Sequence, residues 1–108
     1  MNFKVDTIAP FRREAKKLSK KYPSLKNEIA ALGQKLMESP SLGTPLGNNC
    51  YKIRLAIASK GKGKSGGARV ITHFYVENNT VFLLSIYDKS EQNNIPDSDI
   101  KALLKLIQ

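Results

Sequence analysis

The 108-residue sequence contains one cysteine, one histidine and only 9 acidic residues, and each scarcity excludes something. The lone thiol, Cys50, cannot close an intramolecular disulfide or supply a cysteine-based metal cluster. Its position just ahead of an apolar strand makes a buried structural thiol the expected state. No apolar run approaches the length that spans a bilayer, and the opening MNFKVDTIAPF lacks the apolar stretch of a secretion signal. Cytoplasmic residence without a membrane partner is therefore expected. No convincing cluster of carboxylates is present either, so no metal and no other cofactor is expected.

What is abundant is positive charge. Eighteen basic residues against 9 acidic ones leave a net charge of +9. On a chain with room for one modest core, an excess of that size points to a polyanionic partner, most simply nucleic acid. The hydrophobic fraction of 41% and charged fraction of 25% are those of an ordinary globular protein. The expectation is one domain over residues 1–108, with no repeat, linker or low-complexity tract.

Periodicity divides the chain. FKVDT (3–7) alternates as a short edge strand does. Ile8, Phe11, Ala15, Leu18 and Tyr22 then recur at helical spacing, with Arg12, Arg13, Lys16, Lys17, Lys20 and Lys21 filling the other side. Pro23 breaks the chain, and a second helical stripe follows in Leu25, Ile29, Leu32 and Leu36. SLGTPLGNN (41–49) has the composition of turns. Three strands are predicted next: one through Tyr51, Ile53, Leu55 and Ile57, then 68–76 and 80–87 joined by a turn at Glu77-Asn78-Asn79. DKSEQNN (88–94) reads as a polar loop, and a last helix carries Ile100, Leu103, Leu104 and Ile107 behind Asp97 as N-cap. The predicted order is β-α-α-β-β-β-α, an α+β domain with a largely antiparallel sheet packed on a helical hairpin.

Strand alternation sorts the two faces. Ile53, Leu55, Val70, Phe74, Phe82, Leu84 and Ile86 are expected to meet the helices. Lys52, Arg54, Arg69, Ile71, His73, Tyr75 and Tyr87 then share the opposite face. A face mixing cations with large apolar groups is a cleft, a docking surface or the seat of the last helix.

Between Lys52 and Arg69 lie six cations (Lys52, Arg54, Lys60, Lys62, Lys64 and Arg69) and no acid. The centre, SKGKGKSGG, alternates lysine with glycine. Glycine lets backbone N–H groups approach phosphate, and the lysines add mobile charge. A solvated hairpin would read the same way. A Walker-type nucleotide loop would not: that pattern needs glycine where Ala58 stands, and a helix where ARVITHFYV reads as a strand.

YKIRLA, SKGKGKSGGARVI and LLSIYDKSE, in that order behind two helices, resemble the RelE/ParE toxin superfamily, nearest its HigB/RelE-like branch. The resemblance runs over nearly the whole chain in element order, and its most specific stretch is Lys60 to Ile71. It implies a small microbial-RNase-like fold and ribosome-dependent cleavage of mRNA. It also implies neutralisation by an antitoxin, expected to cover the mixed face around Ile71, Tyr75 or Arg69. By the same resemblance Arg69 contacts the scissile phosphate, Arg54 faces the cleft, Lys60, Lys62 and Lys64 form the basic loop, and Lys89 occupies a basic position after the last strand. Two departures stand out. Where relatives carry a tyrosine beyond that basic position this chain reads SEQNNIP, and no histidine lies near the C-terminus.

Cutting RNA by internal attack requires a base for the 2′-OH, stabilisation of a dianionic phosphorane and an acid for the 5′-oxygen. Arg54 and Arg69 suit the second role, since fixed guanidinium donors stabilise developing charge. A lysine crowded by cations favours its neutral form, so Lys60, Lys62 or Lys64 could act as base. Glu91 is an alternative, and His73 and Tyr87 are secondary candidates. The catalytic set expected is thus Arg69, Arg54, Lys62 and Lys89, with Lys52, Lys60, Lys64, Lys16 and Lys20 contacting RNA. Two other functions fit the same residues: a gyrase inhibitor of the ParE kind, and a harmless basic module that binds RNA or the ribosome.

Overall fold

The computed structural model describes residues 3–61 and 66–107 and contains the predicted order with one strand added. Its elements are β1 (Lys4–Thr7), α1 (Ala9–Lys21), α2 (Leu25–Glu38), β2 (Thr44–Gly47), β3 (Cys50–Leu55), β4 (Ala68–Tyr75), β5 (Thr80–Asp88) and α3 (Asp97–Leu104). They form a five-stranded sheet of order β1-β5-β4-β3-β2, antiparallel except for β1 against β5. The fold class is α+β, as expected.

The added strand, β2, lies inside the stretch that reads as turns. Asn48 and Asn49 both take positive φ, 53° and 58°, the conformation of a tight hairpin turn, and pair Gly47 with Cys50. Thr44 and Pro45 are thereby carried alongside β3 as a short edge, where a proline costs no ladder bond. A four-residue edge strand with two glycines and a proline nearby has no alternating pattern to betray it. At the other end, Asp97 is the first helical residue of α3 and not its cap, a place held by Pro96. Asp97 and Asp99 still favour the helix, since carboxylates in the first turn oppose its dipole.

The helical hairpin buries the expected stripes: Phe11 and Leu18 from α1, and Leu25, Leu32 and Leu36 from α2. These join Ile53, Val70, Val81, Leu83 and Ile86 in one core. One face assignment is overturned. The register places Ile71 opposite Ser85 but Thr72 opposite Leu83, leaving Leu84 as an extra residue in β5. A bulge of this kind inverts the alternation on one side of itself. Phe82 therefore pairs with His73 and lies 6.3 Å from the Tyr75 ring, on the face opposite the hairpin, while Val81 and Leu83 take its place in the core. The mixed face is not bare. At its His73 end it seats α3, whose Leu104 and the following Ile107 line a cavity of about 270 Å³ with Asn48, Asn49, His73 and Tyr75. Among the described residues no helix is long and apolar enough to cross a membrane.

Strand β1 covers only part of β5, its pairing ending at Thr7 against Leu83. Beyond that point Glu14 of α1 closes the open edge, its Oε1 accepting the Ser85 hydroxyl at 2.9 Å and the Ile86 N–H at 3.3 Å. Burial pushes the Glu14 carboxyl above its usual range, against the opposing pull of those bonds and of Arg13. Because the folded-state value is raised, Glu14 favours the fold most at pH below about 4.3, and that contribution fades as pH rises through the shifted value. Glu14→Gln keeps an oxygen acceptor and is expected to match or exceed wild-type thermal stability at neutral pH. Glu14→Ala strands a buried N–H and is expected to lose about 1–3 kcal/mol, measured by thermal unfolding.

Candidate active site

Pairing of β3, β4 and β5 sets Arg54 opposite Arg69, and Arg69 opposite Tyr87. Residues directly opposite across strands project to the same face. The result is a row of cation, cation and phenol at one end of the sheet. Arg54, on β3, is exposed; Arg69, on the central strand β4, is only 5% exposed, with Nη1 donating to the Ala68 carbonyl at 3.2 Å. Tyr87 is equally buried. Burial raises its phenol pKa while the Arg69 guanidinium lowers it, and the hydroxyl finds no hydrogen-bond partner among the described residues. A phenol so placed remains a proton donor at neutral pH.

Lys60 does not face this row. Its ammonium is nearly enclosed, paired with Asp88 and within 3.2 Å of Ser90 Oγ, and it lies over the Tyr22 ring. Asp88 pairs with Ala68 one position along from the arginines, so alternation turns its carboxylate to the hairpin face. There it also accepts from the Tyr22 hydroxyl at 2.7 Å and from Ser90 N–H at 2.9 Å. Burial alone would push Asp88 up; Lys60, Ser90 and Tyr22 more than offset it and hold the carboxyl well below the usual range. The expected RNA contact at Lys60 is thus replaced by an internal ion pair. An acid at the head of a polar stretch reads as solvated, so Asp88 escaped sequence reasoning although it stands inside the quoted YDKSE.

The chain around Lys60 is tied on its other side as well. In the 3-10 turn Ala58–Lys60, the Ala58 N–H donates to Glu28 at 2.7 Å and the Ser59 N–H to Ser24 Oγ at 3.0 Å. At the far stem of the loop, Gly67 carbonyl accepts from Lys89 N–H at 3.0 Å. A Cβ at Gly67 would stand 2.2 Å from the Leu55 carbonyl, so no other residue fits there. Lys62 and Lys64 lie outside the described residues.

The other sequence candidates divide. Lys89 follows Asp88, and its ammonium donates to the carbonyl of Asn93 at 3.2 Å and to that residue's side chain. Glu91 pairs with Lys21 at 2.9 Å on an exposed surface. His73 is four residues from Arg69, about 13 Å along the strand. Its Nδ1 lies 3.6 Å from Cys50 Sγ, and burial lowers its pKa. It belongs to the cavity under α3 and does not converge with the arginines. Cys50 is buried, its thiol pushed up to about 11, as a structural thiol should be. Lys52 sits opposite Ile71, one pairing step from Ile53, and with Arg54 borders a groove of about 540 Å³ beside α2. Lys16 and Lys20 are exposed on one side of α1. The expected docking residues Ile71 and Arg69 are already buried within this chain, so a partner could not cover them without rearrangement.

Solved structures with a similar fold include those of bacterial toxins and their complexes. An E. coli RelE toxin mutant in the free state superposes with a TM-score of 0.67 at 21% identity, over 100% of both chains. A chain of the intact E. coli RelBE toxin–antitoxin complex gives 0.56 at 26% identity, covering 80% of this chain and 95% of its own. A chain of the RelBE2 toxin–antitoxin complex of Mycobacterium tuberculosis gives 0.58 at 17%, covering 82% and 92%. These likenesses define a toxin fold. The family model for the RelE toxin of the RelE/RelB toxin–antitoxin system matches residues 3–108, and the chain belongs to that family.

The Lys60–Asp88 pair makes a prediction for acid stability. With the folded-state carboxyl held low, Asp88 supports the fold fully above about pH 4, and that support is lost as pH falls further. Asp88→Asn is expected to abolish this acid-side loss. It also strands the Lys60 ammonium, at a cost of about 3–5 kcal/mol at neutral pH. Denaturant unfolding across pH 2.5–7 checks both, with pH treated as the variable and roughly that range covered.

Proposed function

We propose that this RelE-family toxin is an endoribonuclease that cuts mRNA on the ribosome and is neutralised by an antitoxin. The observation carrying the reading is the cross-strand row of Arg54 and Arg69 beside Tyr87. Two guanidiniums directly opposite one another on one face can share a single anion. A phosphodiester supplies that anion, and the dianionic phosphorane formed by 2′-OH attack supplies more of it, so the row binds the transition state better than the substrate.

In this reading Arg69 holds the scissile phosphate from the sheet, and Arg54 closes on it from the exposed strand. Tyr87, kept protonated by burial, is a donor toward the same phosphate or the departing 5′-oxygen. Lys62 or Lys64 is a candidate base, and Lys89 adds charge at the end of β5. Lys16, Lys20 and Lys52 contact the ribosomal or messenger backbone through charge alone. The antitoxin partner is supported by the family and by the two relatives solved as toxin–antitoxin complexes.

Arg54→Ala removes an exposed side chain, and Arg69→Lys keeps a charge but loses the planar fork. Each is expected to slow cleavage of ribosome-bound mRNA by on the order of 10²–10³ with little change in folding. The check is to induce wild type and variants in cells lacking the antitoxin and to map mRNA 5′ ends. Codon-phased cuts that vanish in the variants are the expected result. Growth arrest without new ends would replace this reading with gyrase inhibition, and no arrest would leave a basic binding module.

A further inference from the structure

We propose that Asp88 is a positioning residue for cleavage: by gripping Lys60 from behind the sheet it fixes both stems of the Lys/Gly loop relative to Arg69 and Lys89. The inference rests on the cleavage reading above and goes beyond it, because Asp88 touches no substrate.

Three observations meet at this residue. Its carboxylate is fully buried at the end of β5 and takes Lys60, Ser90 and Tyr22 at once, tying the entering stem to β5 and to the end of α1. Its strand neighbours hold the leaving stem, through Ala68 in register with Asp88 and through Lys89 N–H on the Gly67 carbonyl. The row Leu55–Ala68–Asp88 directly adjoins Arg54–Arg69–Tyr87, so a shift of one is passed to the other through a single peptide step. The entering stem is braced from the hairpin by Glu28 and Ser24 through hydrogen bonds alone; Asp88 provides its one charge-pair anchor among the described residues.

Stability by itself does not account for this pair. A buried lysine–aspartate contact is commonly matched or bettered by apolar residues of similar size, whereas a charge-assisted contact has direction. Here the direction turns a lysine out of the basic loop, toward the hairpin face and away from the arginines. A misplacement of about 1 Å at groups that orient a reaction is enough to lower a rate by roughly 100-fold.

The test is single-turnover cleavage of ribosome-bound mRNA by the purified toxin, with thermal unfolding of each variant. Lys60→Met/Asp88→Asn leaves no stranded charge and is expected to regain the stability that either single change loses. Its cleavage rate at saturation is nevertheless expected to fall on the order of 10- to 100-fold, with the half-saturating concentration unchanged. Lys60→Arg is expected to retain most of the rate. A double variant that is stable and cuts at the wild-type rate overturns the proposal. So does a Lys60→Met variant that weakens binding and lowers its salt dependence by about one charge, since that is how a lysine touching phosphate behaves. If the double variant is recovered unfolded, Tyr22→Phe, which removes one donor to Asp88, takes its place with a smaller loss of rate expected. Amide hydrogen exchange at Lys60, Gly61 and Lys89 reads the stems without RNA, and faster exchange in the variant is expected. A wild-type protein that leaves mRNA intact would sink the cleavage reading, while the exchange rates would still decide whether Asp88 holds the stems.

Discussion

Register across β3, β4 and β5 is the constraint on which the rest of this structure depends. A slip of one residue between β3 and β4 would send Arg54 to the face opposite Arg69 and dissolve the cationic row. The register is held by turn chemistry at one end, where Asn48 and Asn49 fix the start of β3, and by burial along the whole length. Ile53, Val70 and Ile86 form the neighbouring row and point into the core, so any slip would expose them. The hydrophobic effect thus aligns the charges, although it contributes nothing to their chemistry.

Charge is distributed on two sides of this sheet with different purposes. On one side Arg54 and Arg69 stand directly opposite each other, with Tyr87 completing the row. On the other, a single carboxylate draws in Lys60 and three further donors, an arrangement that is internally satisfied. The first is the face used in the cleavage proposed for this RelE-family toxin. The second explains how a glycine-rich segment can leave the sheet from a defined place. Gly67 contributes to the same end by its lack of a side chain, since the Leu55 carbonyl occupies the space a Cβ would need.

The helix at the C-terminal end changes how the mixed face is understood. His73 and Tyr75, with Phe82 beside the Tyr75 ring, are not an open aromatic surface: the two line a small cavity with Leu104 and Ile107. Histidine at that place lies 3.6 Å from Cys50 Sγ, four residues along β4 from Arg69. The sole histidine of the chain invites a catalytic role, but it stands in the cavity under α3, away from the arginine row.

Much of this protein was legible before folding. Apolar spacing specified both hairpin helices, the three long strands and α3, because burial rewards a period and a period is visible in one dimension. Alternation also predicted that Arg54, Arg69 and Tyr87 share a face, and the run of lysines and glycines marked the loop beside them. Other features belonged to the tertiary structure alone. The bulge at Leu84, which turns Phe82 around, depends on how two strands meet. The edge strand β2 exists only because β3 offers it partners. The partners of Lys60 and Glu91 are Asp88 and Lys21, residues 28 and 70 positions away in the chain. Hydrophobic pattern is a property of each segment by itself, whereas the fate of a charge depends on which opposite charge the fold brings within reach, and that is set only once the chain has closed on itself.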